Sequence, residues 1–195
     1  MRTDTINVKK YIPAILTASL FLSLVLLSGC TGSSDGNGST DDNTDTGHNF
    51  SFTLLDGTTK ELKDYRGKIV IMDLWATWCQ PCQYQMLELR KAYENYTRDE
   101  VEILSINTDY RETATQIQDF LDQFAYYGYN LDWVFAKEDD DLASYNPEGS
   151  IPRLCIFDQD GNIYWEHSGL TFYSEFPDGW TGEKITLKEK IETIL

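Results

Sequence analysis

The chain has 195 residues, 41% of them hydrophobic and 13% aromatic, room for one core of about 140 residues plus extra segments. Its 32 acidic against 16 basic side chains leave a net charge of −16, which repels phosphate backbones and argues against nucleic-acid binding.

Arg2, Lys9 and Lys10 open the chain, Ala14 to Leu27 is almost wholly apolar, and "LLSGC" closes the segment at Cys30. This is the form of an export signal over residues 1–29. The apolar run is shorter than the roughly 20 residues of a spanning helix, and Ser28 and Gly29 suit processing before Cys30. An uncleaved anchor is the other reading, and both place the domain outside the cytoplasm. "LLSGC" also resembles the lipobox of prokaryotic lipoproteins, which implies that Cys30 is lipidated and becomes the mature N-terminus. Removal of 1–29 would take the net charge to −18. Residues 31–49 contain no aliphatic or aromatic side chain, so with Cys30 they are predicted to form a flexible acidic linker over 30–49.

A folded domain over 50–195 is predicted from the change in periodicity at Phe50. "FSFTLLDGTTKEL" alternates about Asp56-Gly57 as a hairpin does, and Lys68–Ala76, "KIVIMDLWA", suits a buried central strand. "CQYQMLELRKAYENY" reads as a helix, Val101–Asn107 as a second buried strand, and Glu112–Tyr127 as a helix through Ile117, Phe120, Leu121 and Phe124. "LDWVFA" reads as a short strand, and "KEDDDLASY" as the acidic first turn of a short helix. "RLCIFDQDGNIYWEHSG" gives two strands about Asp160-Gly161, and Thr186 with Glu189 fits a capping box for a last helix. The fold class is therefore α/β, a mixed central sheet flanked by helices and covered on both faces, with an N-terminal β-hairpin extension.

"WATWCQPC" puts Cys79 and Cys82 where the central strand has ended and a helix begins, the sheet edge at which chemistry is usually sited. A structural zinc site needs about four ligands, and Cys79, Cys82 and Cys155 with His48 and His167 make a poor set, so no metal is assigned. A bridge across two residues closes almost no loop and adds little as a staple. A helix N-terminus favours the Cys79 thiolate, with Cys82 one turn on and turned from water, which makes the pair a reactive dithiol.

"DLWATWCQPC", with "LLDGTTKELKDYRGKIVIM" before it and "IPRLCIFDQDGNI" after it, resembles the thioredoxin superfamily, in particular the membrane-tethered thiol-disulfide oxidoreductases of the TlpA/ResA type. The resemblance implies a thioredoxin-like fold and a cis-proline loop at Ile151-Pro152 facing the dithiol. It also implies that Trp78 flanks Cys79 and that Gln80, Pro81, Ile151 and Pro152 meet the substrate. Two positions depart from the TlpA/ResA pattern: Gln85 and Leu87 stand where that branch usually has glutamate and proline. Asp73 matches instead the buried aspartate of thioredoxin, which implies a proton acceptor for Cys82, beside the plainer role of a satisfied buried polar residue. The lysine that often accompanies that aspartate is replaced by Ser105. Trp75 has either cover for the dithiol or core packing as its role, and Cys155 reads as a small buried hydrophobe.

The expected function is an extracytoplasmic, lipid-tethered thiol-disulfide oxidoreductase, with Cys79, Cys82 and Asp73 as its catalytic set. Gln80 and Pro81 resemble reductant motifs, so the expected direction is reduction of disulfides in exported proteins, apocytochrome c or another exported thiol protein among them. The expected partners are those substrates, a membrane electron donor and the membrane itself through the Cys30 lipid. No cofactor is called for, and a monomer is expected. Two other classes stand beside this one. A non-enzymatic binding module on the same scaffold would have no need of both thiols, and a Sco-like copper chaperone would need a cysteine pair spaced by three residues.

Overall fold

The computed structural model describes residues 47–195. The export signal 1–29, Cys30 and the linker as far as residue 46 lie outside the described residues. The elements are β1 (Ser51–Leu54), β2 (Thr59–Glu61), β3 (Ile69–Trp75), α1 (Gln80–Asn95), β4 (Val101–Asn107), α2 (Ala114–Tyr126), β5 (Val134–Glu138), β6 (Arg153–Phe157), β7 (Ile163–Ser168) and α3 (Leu187–Ile194). Two 3₁₀ turns, Leu62–Tyr65 and Asp140–Tyr145, join them.

The seven strands form one sheet in the order β2-β1-β5-β4-β3-β6-β7. The β3–β4 and β4–β5 pairs are parallel, and the β3–β6, β6–β7, β1–β5 and β1–β2 pairs are antiparallel. β3 lies inside the sheet between β4 and β6, with all of its residues buried and all but Asp73 apolar. The β1–β2 turn is made by Gly57 at φ +87°, a backbone that glycine adopts freely, and by the Thr58 N–H donating to the Asp56 carboxylate at 2.8 Å.

The period of two along β3 divides the core. Ile69, Ile71 and Trp75 face one layer, and Val70, Met72 and Leu74 face the other. The first layer takes side chains from all three helices, including Met86 and Leu89 of α1, Ile117 of α2, and Leu187 and Ile191 of α3. The second is closed by Phe50, by Leu62 of the first 3₁₀ turn, and by Leu142 and Tyr145 of the second. The α-helices thus cover one face of the mixed sheet. After β5 the expected short helix is only the 3₁₀ turn Asp140–Tyr145, and that turn with the incoming chain covers the second face.

β5 also begins later than "LDWVFA" suggests and takes in Lys137 and Glu138. Pairing decides this, since β1 aligns Thr53 with Lys137 and Phe52 with Glu138. The Leu62–Tyr65 turn starts from a reciprocal cap between Glu61 and Asp64.

The capping box of α3 is present: Thr186 Oγ1 accepts the Glu189 N–H at 3.2 Å, and the Glu189 carboxylate accepts the Thr186 N–H at 3.2 Å. Thr186→Ala leaves an orphan donor at the helix start and is expected to cost about 1 kcal/mol, read as a lower denaturation midpoint at unchanged m-value.

Candidate active site

β3 ends at Trp75, and Ala76 to Trp78 carry the chain over the sheet edge to Cys79, the N-cap residue of α1. The Cys79 sulfur accepts the Cys82 N–H at 3.2 Å, the interaction a serine or aspartate cap would make with its oxygen. Pro81 lies in the first turn, where its missing N–H is no loss, and no acidic residue in that turn offsets the positive end of the helix dipole. Cys79 and Cys82 are joined as a disulfide, with Cα atoms 5.2 Å apart.

Both cysteines are closed to solvent: Cys79 keeps 4% exposure and Cys82 none. The reason is the cap, which turns the Cys79 sulfur back over the first turn of α1. Gln80, Pro81 and Trp78 provide the open surface beside it, Trp78 being 63% exposed.

The loop carrying Cys79 is held from β4. Parallel register puts Asn107 opposite Trp75, so the residues after β4 arrive at the same edge. The Glu112 carboxylate accepts the Thr77 N–H at 3.1 Å, the Thr77 hydroxyl and the Asn107 side-chain amide. Lys137 donates in turn to the Glu112 carbonyl. Trp78 donates its indole N–H to Asp109 at 2.8 Å, and Arg111 grips the same carboxylate through Nε at 2.8 Å and Nη2 at 2.6 Å. The Arg111 guanidinium, with the Trp78 N–H, holds Asp109 well below the ordinary carboxylate range. Sequence reasoning missed Asn107, Asp109, Arg111 and Glu112. A signal was available in "NTDYRET", a polar run directly after a buried parallel strand.

Asp73 lies on the helix-facing side of β3, between Ile71 and Trp75, in the layer that contains Cys82. It is fully buried. Ser105, its register partner on β4, donates to Oδ2 at 2.9 Å and itself accepts the Trp133 indole N–H at 2.9 Å. Oδ1 has no hydrogen-bond partner among the described residues. Burial pushes the Asp73 pKa up to about 7, with the Ser105 hydrogen bond opposing it. Trp75 is core: its ring packs on Phe120 at 5.3 Å and Phe135 at 5.8 Å.

The Ile151–Pro152 peptide bond is cis. β6 aligns Leu154 with Asp73 and Arg153 with Leu74, so Pro152 comes level with the end of β3, at the edge where Cys79 sits. Gly169 donates to the Pro152 carbonyl at 2.8 Å. Arg153 is almost wholly buried and braces this corner, bonding the Tyr145 carbonyl, Ser168 Oγ at 2.8 Å and the Glu166 carboxylate at 2.8 Å.

The AhpC/TSA family model matches residues 44–166, a span that contains the dithiol, Asp73 and Pro152. The chain belongs to the AhpC/TSA family. It is 33% identical over 118 residues to thiol-disulfide oxidoreductase ResA of Geobacillus kaustophilus, covering 60% of this chain and 64% of that protein. The chain thus matches less than two thirds of that relative's length. Among solved structures it is similar to StoA of Bacillus subtilis (TM-score 0.52, 17% identity, 64% of this chain and 90% of that one). It is also similar to the pneumococcal exposed lipoprotein thioredoxin of Streptococcus pneumoniae (TM-score 0.53, 19% identity, 75% of this chain and 99% of that one). The fold is thioredoxin-like.

Within this AhpC/TSA-family site, Gln85 has a structural task. Fully buried on α1, it donates to the Thr171 carbonyl at 3.1 Å and accepts the Thr171 N–H at 2.8 Å, clasping the loop after β7. A carboxylate could not make the first bond, which accounts for an amide here. Cys155 faces Met72 and Phe157 in the other layer, across the sheet from the dithiol, and burial pushes its thiol up to about 11. His167, in β7, stacks on Trp165 at 5.5 Å.

Asp73 carries a pH signature. Its folded pKa is raised, so below about pH 4 the carboxyl is neutral in folded and unfolded chains alike and costs nothing. Between about 4 and about 7 the unfolded chain ionises first, and stability falls with rising pH before levelling off. Asp73→Asn is therefore expected to be more stable than wild type at pH 7.5, by on the order of 2 kcal/mol, and to lose that advantage near pH 4. Denaturant midpoints across this range check it; parallel profiles would mean that Asp73 ionises normally.

Proposed function

We propose that the protein is a thiol-disulfide oxidoreductase that reduces disulfides of exported proteins. The observation that carries the reading is a Cys-X-X-Cys pair at the N-cap of α1, lying in the same buried layer as an aspartate whose pKa is raised to neutrality. The similarity to ResA, a thiol-disulfide oxidoreductase, supports the reaction class.

In the reduced protein the Cys79 thiolate, stabilised by the helix N-terminus, attacks one sulfur of a substrate disulfide. The substrate S–S bond breaks, the leaving sulfur departs as a thiolate and takes a proton from water, and a Cys79–substrate disulfide forms. Cys82 then gives its proton to the Asp73 carboxylate and attacks Cys79 Sγ. The mixed disulfide breaks and releases the second substrate thiol, so two electrons pass to the substrate and Cys79–Cys82 is left oxidised. With a pKa near neutrality, Asp73 can take that proton and give it up again. Trp78, Gln80, Pro81, Ile151 and Pro152 form the contact surface around Cys79. The Ile151 N–H and C=O make no hydrogen bond within the described residues and are free to pair with an extended substrate. A membrane electron donor re-reduces the disulfide, and the dithiol carries both electrons without a cofactor.

The location follows the same reading: export through residues 1–29 and a lipid on Cys30. The word lipoprotein in the name of the pneumococcal neighbour supports this. Apocytochrome c and other exported thiol proteins are the substrates in view, with the enzyme acting as a monomer.

Cys82→Ser is expected to trap mixed disulfides with substrates and Cys79→Ser to trap none; equal trapping would remove Cys79 as the nucleophile. Asp73→Asn is expected to slow resolution of the mixed disulfide about ten- to hundredfold near pH 7 in single-turnover mixing, while leaving formation of the mixed disulfide unchanged. Superimposable pH profiles would leave Asp73 with a structural role alone. For location, Cys30→Ser is expected to move the mature protein from membrane to soluble fraction, and retention on the membrane would contradict the lipid anchor.

A further inference from the structure

α1 carries two stripes. One is the buried face of Cys82, Met86 and Leu89. The other, Gln80, Gln83, Tyr84 and Leu87, recurs at i, i+3, i+4 and i+7 and so lies along one side of the helix, starting at the residue next to Cys79. Against this stripe stand Phe124, Tyr127 and Tyr129 from the end of α2 and the turn after it, enclosing a groove of about 240 Å³. The rings are open to solvent: Tyr84 is 55% exposed and Tyr127 73%. A second hollow, lined by Thr77, Gln83, Phe124 and Tyr127 among others, continues it towards the Cys79 loop.

The groove is smaller than the roughly 300–1,000 Å³ of small-molecule sites and fits one large apolar side chain. The charge about it is negative: Asp119 lines the continuing hollow, and the whole chain carries a net charge of −16. Arg90, over the Tyr129 ring at 5.6 Å, is itself paired with Glu94 at 2.8 Å. From Gln80 to Leu87 the stripe runs about 10 Å along the helix. An extended chain joined to Cys79 covers that distance in about three residues.

We infer that this groove is a specificity site for the substrate polypeptide: it takes an aromatic or large aliphatic side chain about three residues from the reacting cysteine, in a segment that carries lysine or arginine. The inference rests on the oxidoreductase reading and names the substrate class for it. Apolar burial supplies the affinity, and the chain's negative charge selects for cationic segments.

The test uses the full-length protein and four disulfide probes. Three are peptides identical except at the position three residues from the cysteine and in flanking charge: Phe with Lys, Ser with Lys, and Phe with Glu. The fourth is hydroxyethyl disulfide, small enough to react at Cys79 without the groove. The Phe/Lys peptide is expected to exceed Ser/Lys by ten- to hundredfold in kcat/KM, and to exceed Phe/Glu severalfold at low salt, with the second ratio shrinking as salt is added. Leu87→Ser/Tyr127→Ser should bring the Phe-to-Ser ratio close to one, and Tyr127→Phe, which keeps the ring, should retain it. Turnover of hydroxyethyl disulfide with no discrimination among peptides overturns the groove, as does a ratio that survives in the double variant. A wild-type dimer that the double variant dissociates would assign the groove to a second copy, and also overturns it. Failure to reduce any of the four probes removes the oxidoreductase reading and the groove with it.

Discussion

The site depends on a single cap. Cys79 ends the crossing from β3 to α1, and its sulfur accepts the Cys82 N–H in the place of a side-chain oxygen. That contact puts the Cys79 sulfur at the positive end of a helix dipole and sets the second cysteine one turn away. Much of what surrounds it serves to keep the crossing in place. Glu112 pins Thr77, Asp109 with Arg111 pins Trp78, and the Trp75 carbonyl is tied to Thr108 at 2.9 Å. All of these anchors come from the end of β4, because parallel pairing delivers that end to the edge where β3 stops.

The second organising feature is the separation of roles by the two faces of β3. On one face Asp73 interrupts an apolar series at a position where α1 lies overhead, so its carboxyl is removed from water but kept in the layer of the cysteines. Ser105 gives it a single hydrogen bond, and Oδ1 has no partner among the described residues. On the other face Cys155 is as buried as Cys82 but sits in mid-strand, its thiol pKa raised by burial, and it is inert by comparison. Chemistry and packing are kept apart by a shift of one residue in a period of two.

The departure at Gln85 belongs to the same corner. An amide there can bond both the N–H and the carbonyl of Thr171, so α1 and the loop after β7 are closed against each other just below the dithiol. Arg153 does the same for the chain around Pro152, linking the second 3₁₀ turn to β7. The walls of the site are thus fixed by buried polar clasps, and the surface left open is apolar and aromatic: Trp78, Tyr84 and Tyr127.

What the sequence by itself determined was everything carried by local pattern. The strands "KIVIMDLWA" and "VEILSIN", the helix after the cysteines, the Thr186 cap and the reactive pair all follow from periodicity, end signals and spacing over a few residues. Tertiary structure alone decided whatever depends on which strands are neighbours. β4 lying beside β3 makes Asp109 and Glu112 part of the site, and gives Asp73 its bond to Ser105. β1 lying beside β5 draws Lys137 and Glu138 into a strand that their charge disfavours. All three helices on one layer, the near-closure of Cys79 and the groove between α1 and α2 have the same origin. Each depends on contacts between residues far apart in the chain, and these are set by how the whole sheet buries its two apolar faces, which no short window of sequence contains.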